Sequence, residues 1–241
     1  MRRLKIIIVS VLVFFMVVGV SGVVVLRSRT YQPHDDALTW LEHASKYRGY
    51  YLFEADDADV NVVFYPGGLV KPEAYAGLAA RMALAGMRVF LVVMPLDLAV
   101  LNTNAIEAIM ANHPSGLPWV IGGHSLGGAS AAIWLARQPD RADGLFLLAS
   151  YPSSSSDLRA SGLPVISIRA SVDDILDMDN FFETQDLLPV ETVYAVIEGG
   201  NHAGFGHYGP QRGDGEAIIE RTIQQQETVV LLRQWLEDTL F

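Results

Sequence analysis

Residues 119–137, Trp-Val-Ile-Gly-Gly-His-Ser-Leu-Gly-Gly-Ala-Ser-Ala-Ala-Ile-Trp-Leu-Ala-Arg, limit the possible folds more than any other stretch. Residues 119–121 form an apolar run of strand type, and residues 129–137 read as an alanine-rich helix. Between them Gly122, Gly123, Gly127 and Gly128 crowd around Ser125. A strand that passes abruptly into a helix strains the residue at the corner. Its neighbours must be small, because side chains there would collide across the turn. Such a corner lifts the Ser125 hydroxyl clear of the sheet, beside the unpaired N–H groups of a helix N-terminus. Gly-x-Ser-x-Gly between a strand and a helix therefore marks Ser125 as a candidate nucleophile.

The rest of the chain supplies a sheet for that corner. Residues 60–65, 87–94, 142–149, 165–170 and 192–197 are apolar throughout, as strands covered on both faces are. Helical segments at 72–85 and 102–112 alternate with them, and residues 216–236 complete the pattern, with Ile219, Ile223 and Val230 expected against the sheet. Residues 37–47 read as a short amphipathic helix and 50–53 as an edge strand. Asp56, Asp57 and Asp59 make a solvated acidic turn.

In a mostly parallel sheet, reactive groups gather at the carboxyl ends of strands. A serine hydroxyl needs a base, and the base needs an orienting acid. Ser171-Val172-Asp173-Asp174 follows the 165–170 strand, and Glu198-Gly199-Gly200-Asn201-His202 follows the 192–197 strand. His202 is the expected base with His207 in reserve, and Asp173 the expected acid with Asp174 in reserve. His124 adjoins the serine but is expected to point away and serve structure. His34, His43 and His113 are expected at the surface. Asp177 and Asp179 fall in or cap the next helix. The oxyanion donors are expected to be the Leu126 N–H and one from the loop after residue 65. Pro66 has no N–H, which leaves Gly68, with Leu69 as the alternative. The glycine-dense stretch 202–215 starts at the base, so Phe205 and Tyr208 are candidate substrate walls.

Gly123-His124-Ser125-Leu126-Gly127, Ser171-Val172-Asp173 and Gly200-Asn201-His202, in that chain order, resemble the α/β-hydrolase superfamily. The compact build resembles its dienelactone-hydrolase-like group of small bacterial members. The likeness covers residues 48–241 and implies a mostly parallel central sheet with helices on both faces. Two features depart from the pattern. Dienelactone hydrolases use a cysteine nucleophile, and this chain has no cysteine, so lactone chemistry is not implied. The usual first strands are missing or shortened. Only residues 150–164 separate the strands between which many members insert a lid, so an open, lidless site is expected.

The first thirty residues are of another kind. Ile6 to Leu26 is 21 residues without a charge, long enough to span a bilayer. Arg2, Arg3 and Lys5 precede it, which favours a cytoplasmic N-terminus. The expectation is a single-pass anchor and linker over 1–36, with an extracytoplasmic hydrolase domain over 37–241. A cleaved signal peptide and a secreted domain are the alternative. No acid precedes Asp35 and five of the 17 basic residues lie before residue 30, so residues 31–241 carry 12 basic against 27 acidic groups. That excess repels nucleic acid. The absence of cysteine rules out disulfides and thiolate metal sites. The combined expectation is a serine hydrolase acting on a small acyl substrate, without cofactor or metal. An acyltransferase and a non-catalytic binding module on the same fold are the alternatives.

Overall fold

The computed structural model describes residues 22–241. Eight strands form one sheet in these residues: β1 (Ala44–Tyr47), β2 (Tyr50–Phe53), β3 (Val60–Tyr65), β4 (Met87–Val92), β5 (Trp119–His124), β6 (Gly144–Leu148), β7 (Val165–Ala170) and β8 (Val193–Ile197). Their spatial order is β1-β2-β4-β3-β5-β6-β7-β8. The first two pairings, β1 with β2 and β2 with β4, are antiparallel; all others are parallel. The strand leading to Ser125 is therefore central, between β3 and β6.

Every residue of β3 and β6 is buried. The reason is a cover on both faces. Helices α2 (Ala76–Leu84) and α6 (Arg221–Thr239) lie on the side of Val62 and Phe64. Helices α3 (Ala105–Asn112) and α4 (Leu126–Arg137) lie on the side of Val63 and Tyr65. Trp134 of α4 and Trp235 of α6 are the bulkiest plugs of the two layers, each almost fully buried. A buried tryptophan contributes roughly 3–5 kcal/mol, judged by its loss on truncation to alanine.

Three expectations change. Residues 37–47 do not form one helix: α1 (Asp35–Thr39) and a 3-10 turn over Trp40–His43 come first, and 44–47 become β1. The cause is Gly49 at φ 98°, which folds the chain back so that Ala44–Tyr47 pair with Tyr50–Phe53. That hairpin also puts 50–53 inside the sheet and leaves the polar β1 as the edge, where lysine discourages further pairing. The last helix starts at Arg221, later than expected. Its buried face is Gln224, Gln225, Thr228, Val229, Leu232, Trp235 and Leu236. Those positions share one side at 3.6 residues per turn, so Ile223 and Val230 face solvent at 42% and 63% exposure.

The membrane anchor is also corrected. Most of the run Ile6–Leu26 falls on residues 1–21, outside the described residues. Residues 22–29, the first of those described, are helical. Among the described residues no helix is long and apolar enough to cross a membrane. The fold class of the described residues is the sheet with its two helical layers and no transmembrane element, so single-pass topology and membrane partnership find no support there. Residues 30–34 meanwhile lie against the sheet's carboxyl end. Tyr31 N–H donates to the Leu69 carbonyl at 2.8 Å, and its own carbonyl accepts from Lys71 N–H at 3.1 Å.

Candidate active site

Ser125 is the N-cap of α4, at φ 52° and ψ −122°. For a residue with a Cβ this region costs on the order of 1–3 kcal/mol. Two hydrogen bonds hold it there: Ser125 N–H donates to the Leu148 carbonyl at 2.9 Å, and its carbonyl accepts from the side-chain hydroxyl of Ser150 at 2.7 Å. A Cβ at either Gly123 or Gly127 would strike the Tyr65 carbonyl oxygen. The tight corner thus exists only because β3 can pass so close beneath it.

Asp173 and His202 meet from two other strand ends. His202 Nδ1 lies 2.8 Å from Asp173 Oδ2, with the two side chains only 2% and 1% exposed. The other carboxylate oxygen, Oδ1, accepts from the Ile175 and Leu176 N–H groups at 2.9 and 2.8 Å. Three donors facing an acceptor-only carboxylate fix the ring's tautomer. The proton sits on Nδ1, and Nε2 keeps a lone pair. Asp174, beside it, is exposed. Asp177 is the N-cap of α5 (Met178–Glu183) and accepts from Asn180 N–H at 3.1 Å.

The loop carrying His202 is held by polar side chains that carried no motif. Asp214 accepts from the N–H groups of His202 and Ala203 at 3.2 and 2.8 Å. Gln224, fully buried on α6, grips residue 201 from both sides: its Oε1 accepts from Asn201 N–H at 3.1 Å and its Nε2 donates to the Asn201 carbonyl at 2.8 Å. The only trace in the sequence is a run of polar residues at 224, 225 and 228 on an otherwise apolar helix face.

The loop after β3 is held differently again. Gly67 N–H donates to the Tyr75 hydroxyl at 3.1 Å, and Leu69 N–H to the Asp97 carbonyl at 2.7 Å. Gly68 N–H, between them, has no acceptor among the described residues, and the segment touches the start of α4: a Cβ at Gly68 would sit 3.0 Å from Leu126 Cδ2. Asp97 in turn takes both its oxygens to Lys71 Nζ, at 3.2 and 2.9 Å.

His124 does not point into solvent. It is buried, its Nδ1 is 2.8 Å from the Tyr75 hydroxyl, and its ring stands 4.4 Å from that of His202. The tyrosine oxygen also accepts from Gly67 N–H at 3.1 Å, and His124 Nε2, on the other side of the ring, makes no well-aligned side-chain hydrogen bond. Burial, and next the neighbouring His202, hold the His124 pKa well below the ordinary histidine value. His207, the reserve base, lies outside the cavity beside Asp36. Its pKa is lowered, first by burial and then by Arg221.

Ser125, Leu126 and His202 line one cavity of about 250 Å³, with Tyr151, Ile175 and Leu176 as its apolar walls. No direct hydrogen bond joins serine and imidazole, a looseness common before substrate binds. The wall residues differ from expectation. Phe205 and Tyr208 are 0% and 5% exposed and do not line this space. The loop turns inward after His202, packing Phe205 on His124 and Tyr208 on Tyr31 and Tyr75. A larger cavity, about 460 Å³, lies between Trp40, Phe53 and Gly86 and contains none of these groups.

Comparison with known proteins agrees with this fold. The chain superposes on MGS-MChE2, an alpha/beta hydrolase enzyme from the metagenome of lagoon sediments at Mar Chica, Morocco, with a TM-score of 0.63, 15% identity, and coverage of 83% of this chain and 100% of that one. Dienelactone hydrolase from Anabaena variabilis gives a TM-score of 0.62 at 14% identity, again over 83% and 100% of the two chains. A thermophilic esterase from Thermogutta terrifontis gives 0.58 at 16% identity, over 80% and 88%. No curated protein matches the chain in sequence. The pattern of the alpha/beta hydrolase family matches residues 61–227, which hold the serine turn, the Asp173–His202 pair and the start of the helix that grips the histidine loop; the chain belongs to that family.

Proposed function

We propose that this alpha/beta hydrolase cleaves carboxylic esters, or closely related acyl bonds, through an acyl-enzyme on Ser125. One observation carries the reading: a buried Asp173–His202 pair with its free nitrogen on the ring's far side, lining the same cavity as a serine at a strained strand–helix corner. His202 Nε2 takes the Ser125 proton as Oγ attacks the acyl carbon. Asp173 holds the imidazole in that tautomer and stabilises the imidazolium that forms. The oxygen of the tetrahedral intermediate receives the N–H groups of Gly68 and Leu126. The imidazolium returns its proton to the departing alcohol, and water attacking under the same base releases the acid. No step requires a metal or organic cofactor.

Residues 37–241 make up the hydrolase domain in this reading, of the compact, lidless, dienelactone-hydrolase-like kind with serine for cysteine. The connection from β6 to β7 contains no helix or strand, and the walls at Tyr151, Ile175 and Leu176 suit a small acyl substrate. A fluorophosphonate probe tests the nucleophile. The wild-type chain should label and Ser125→Ala should not; labelling that survives the substitution refutes the assignment. A panel of esters, thioesters and amides with short and long acyl groups then defines the bond and chain length.

A further inference from the structure

The residues just before α1 are fixed at both backbone and side chain. Thr30 is buried, Tyr31 is paired with the loop at 69–71, and His34 N–H donates to the His207 carbonyl at 2.9 Å. His207 is anchored from its other side, where its N–H donates to the Ala74 carbonyl at 2.7 Å. Two histidines far apart in sequence are thus pinned side by side, their rings stacked 5.5 Å apart. Asp36 joins them, with Oδ2 3.4 Å from His207 Nε2. One nitrogen from each ring and one Asp36 oxygen all lie within 4.8 Å of one another.

Two imidazoles and a carboxylate are the donors that divalent zinc and copper favour. Bonds of about 2.0–2.2 Å place tetrahedral donors roughly 3.3 Å apart. The Asp36–His207 pair already stands at that spacing, and His34 is exposed and free to turn its ring inward. Gly209, at φ 83°, has no Cβ to block that side of the His34 ring. Magnesium and calcium, which bind through oxygen ligands, are disfavoured at a pair of imidazoles against metals that bond strongly to nitrogen.

We propose that His34, Asp36 and His207 form a binding site for a divalent transition-metal ion of the zinc or copper class, with water completing its coordination. Occupied, the site staples the segment ahead of α1 to the loop that carries His202, five residues before His207.

The test uses the full chain stripped with a chelator and titrated with zinc chloride, then copper(II) chloride. One equivalent should bind, and the melting temperature should rise by a few degrees through linkage. Copper(II) should give an electron paramagnetic resonance spectrum with two equatorial nitrogens. His34→Ala and Asp36→Asn, both at exposed positions, should each weaken binding by at least about tenfold, as the loss of even an outer partner does. Their metal-free melting temperatures should match the wild type. Magnesium chloride should have no effect. Absence of one-equivalent binding in the wild type overturns the proposal. So does binding that His34→Ala leaves unchanged, which would assign the metal to other histidines.

Discussion

Around Ser125 the chain is shaped by missing side chains; around His202 it is shaped by buried polar ones. At the serine corner Gly123 and Gly127 let the β3 carbonyl at Tyr65 pass within contact, and bonds from the Ser125 main chain to the Leu148 carbonyl and the Ser150 hydroxyl do the rest. At the histidine loop, Asp214, Asn201 and Gln224 supply the bonds that regular structure would otherwise give. The two regions face each other across one cavity, and they should fail in different ways. A steric corner is intolerant of added volume. A polar clamp is intolerant of a lost partner, because the group left behind is buried without a hydrogen bond.

The largest effect belongs to the corner. Ser125→Ala should lower kcat on an ester by about 10⁶-fold while leaving the melting temperature nearly unchanged, as removal of a hydrolase serine does. Gly127→Ala should do the reverse in kind. It retains the nucleophile but forces a Cβ against the Tyr65 oxygen, so thermal unfolding should show a loss of about 1–3 kcal/mol or more. A fully stable Gly127→Ala chain would mean that the corner is looser than its geometry implies.

Next comes the acid. Asp173→Asn keeps the shape but offers Nδ1 an amide in place of a carboxylate, and kcat should fall about 10⁴-fold. Asp174→Asn, at an exposed site, should stay close to wild type in the same steady-state assay. Equal losses at both positions would remove the distinction drawn between them.

The clamp gives the third effect. Gln224→Met preserves volume but removes the partner of the Asn201 N–H and the shorter of the two bonds to its carbonyl, which keeps only the Gly204 N–H at 3.3 Å. Stability should drop by about 1–3 kcal/mol. If His202 also moves, by as little as an ångström, kcat should fall by up to about 100-fold with KM little changed. A stability loss with unaltered kcat would limit Gln224 to holding the fold.

This contrast also explains what the sequence reveals. Steric demands leave marks, because glycine is the only residue that meets them; the corner at 122–128 is legible for that reason. Strands β3 to β7 are legible because burial on both faces makes them predominantly apolar. Asp173 and His202 are legible through position, each just after a strand. The clamp is not. Gln224 is an ordinary helical residue until its partner, 23 positions away, is known. Phe205 and Tyr208 mislead for a related reason. Aromatic residues in a glycine-rich loop suit a pocket wall or a core equally well, and only the path of the loop, turning inward after His202, decides for the core. β1 reads as part of a helix because Ala-Ser-Lys-Tyr carries no strand pattern; its pairing comes from the turn at Gly49.

His124 stands where the two regions touch, and it gives the smallest and most specific test. In the folded chain its pKa lies well below the ordinary value, from burial first and the neighbouring His202 second. In the unfolded chain it titrates near the usual value of about 6.5. Above that pH both states carry a neutral ring, and the group adds no pH dependence. As pH falls through about 6.5 the unfolded chain takes up a proton that the folded chain refuses, so stability declines toward pH 5. His113 and His207 are shifted in the same direction and add to the decline. Carboxylates held low by their hydrogen bonds, such as Asp157 and Asp177, act mainly at lower pH. His124→Gln should therefore flatten the decline between pH 7 and 5 in part, measured by denaturant unfolding at several pH values. Identical slopes in the two proteins would mean that the folded chain accepts a proton on His124. That would put a second positive charge 4.4 Å from the ring that must itself become positive during catalysis.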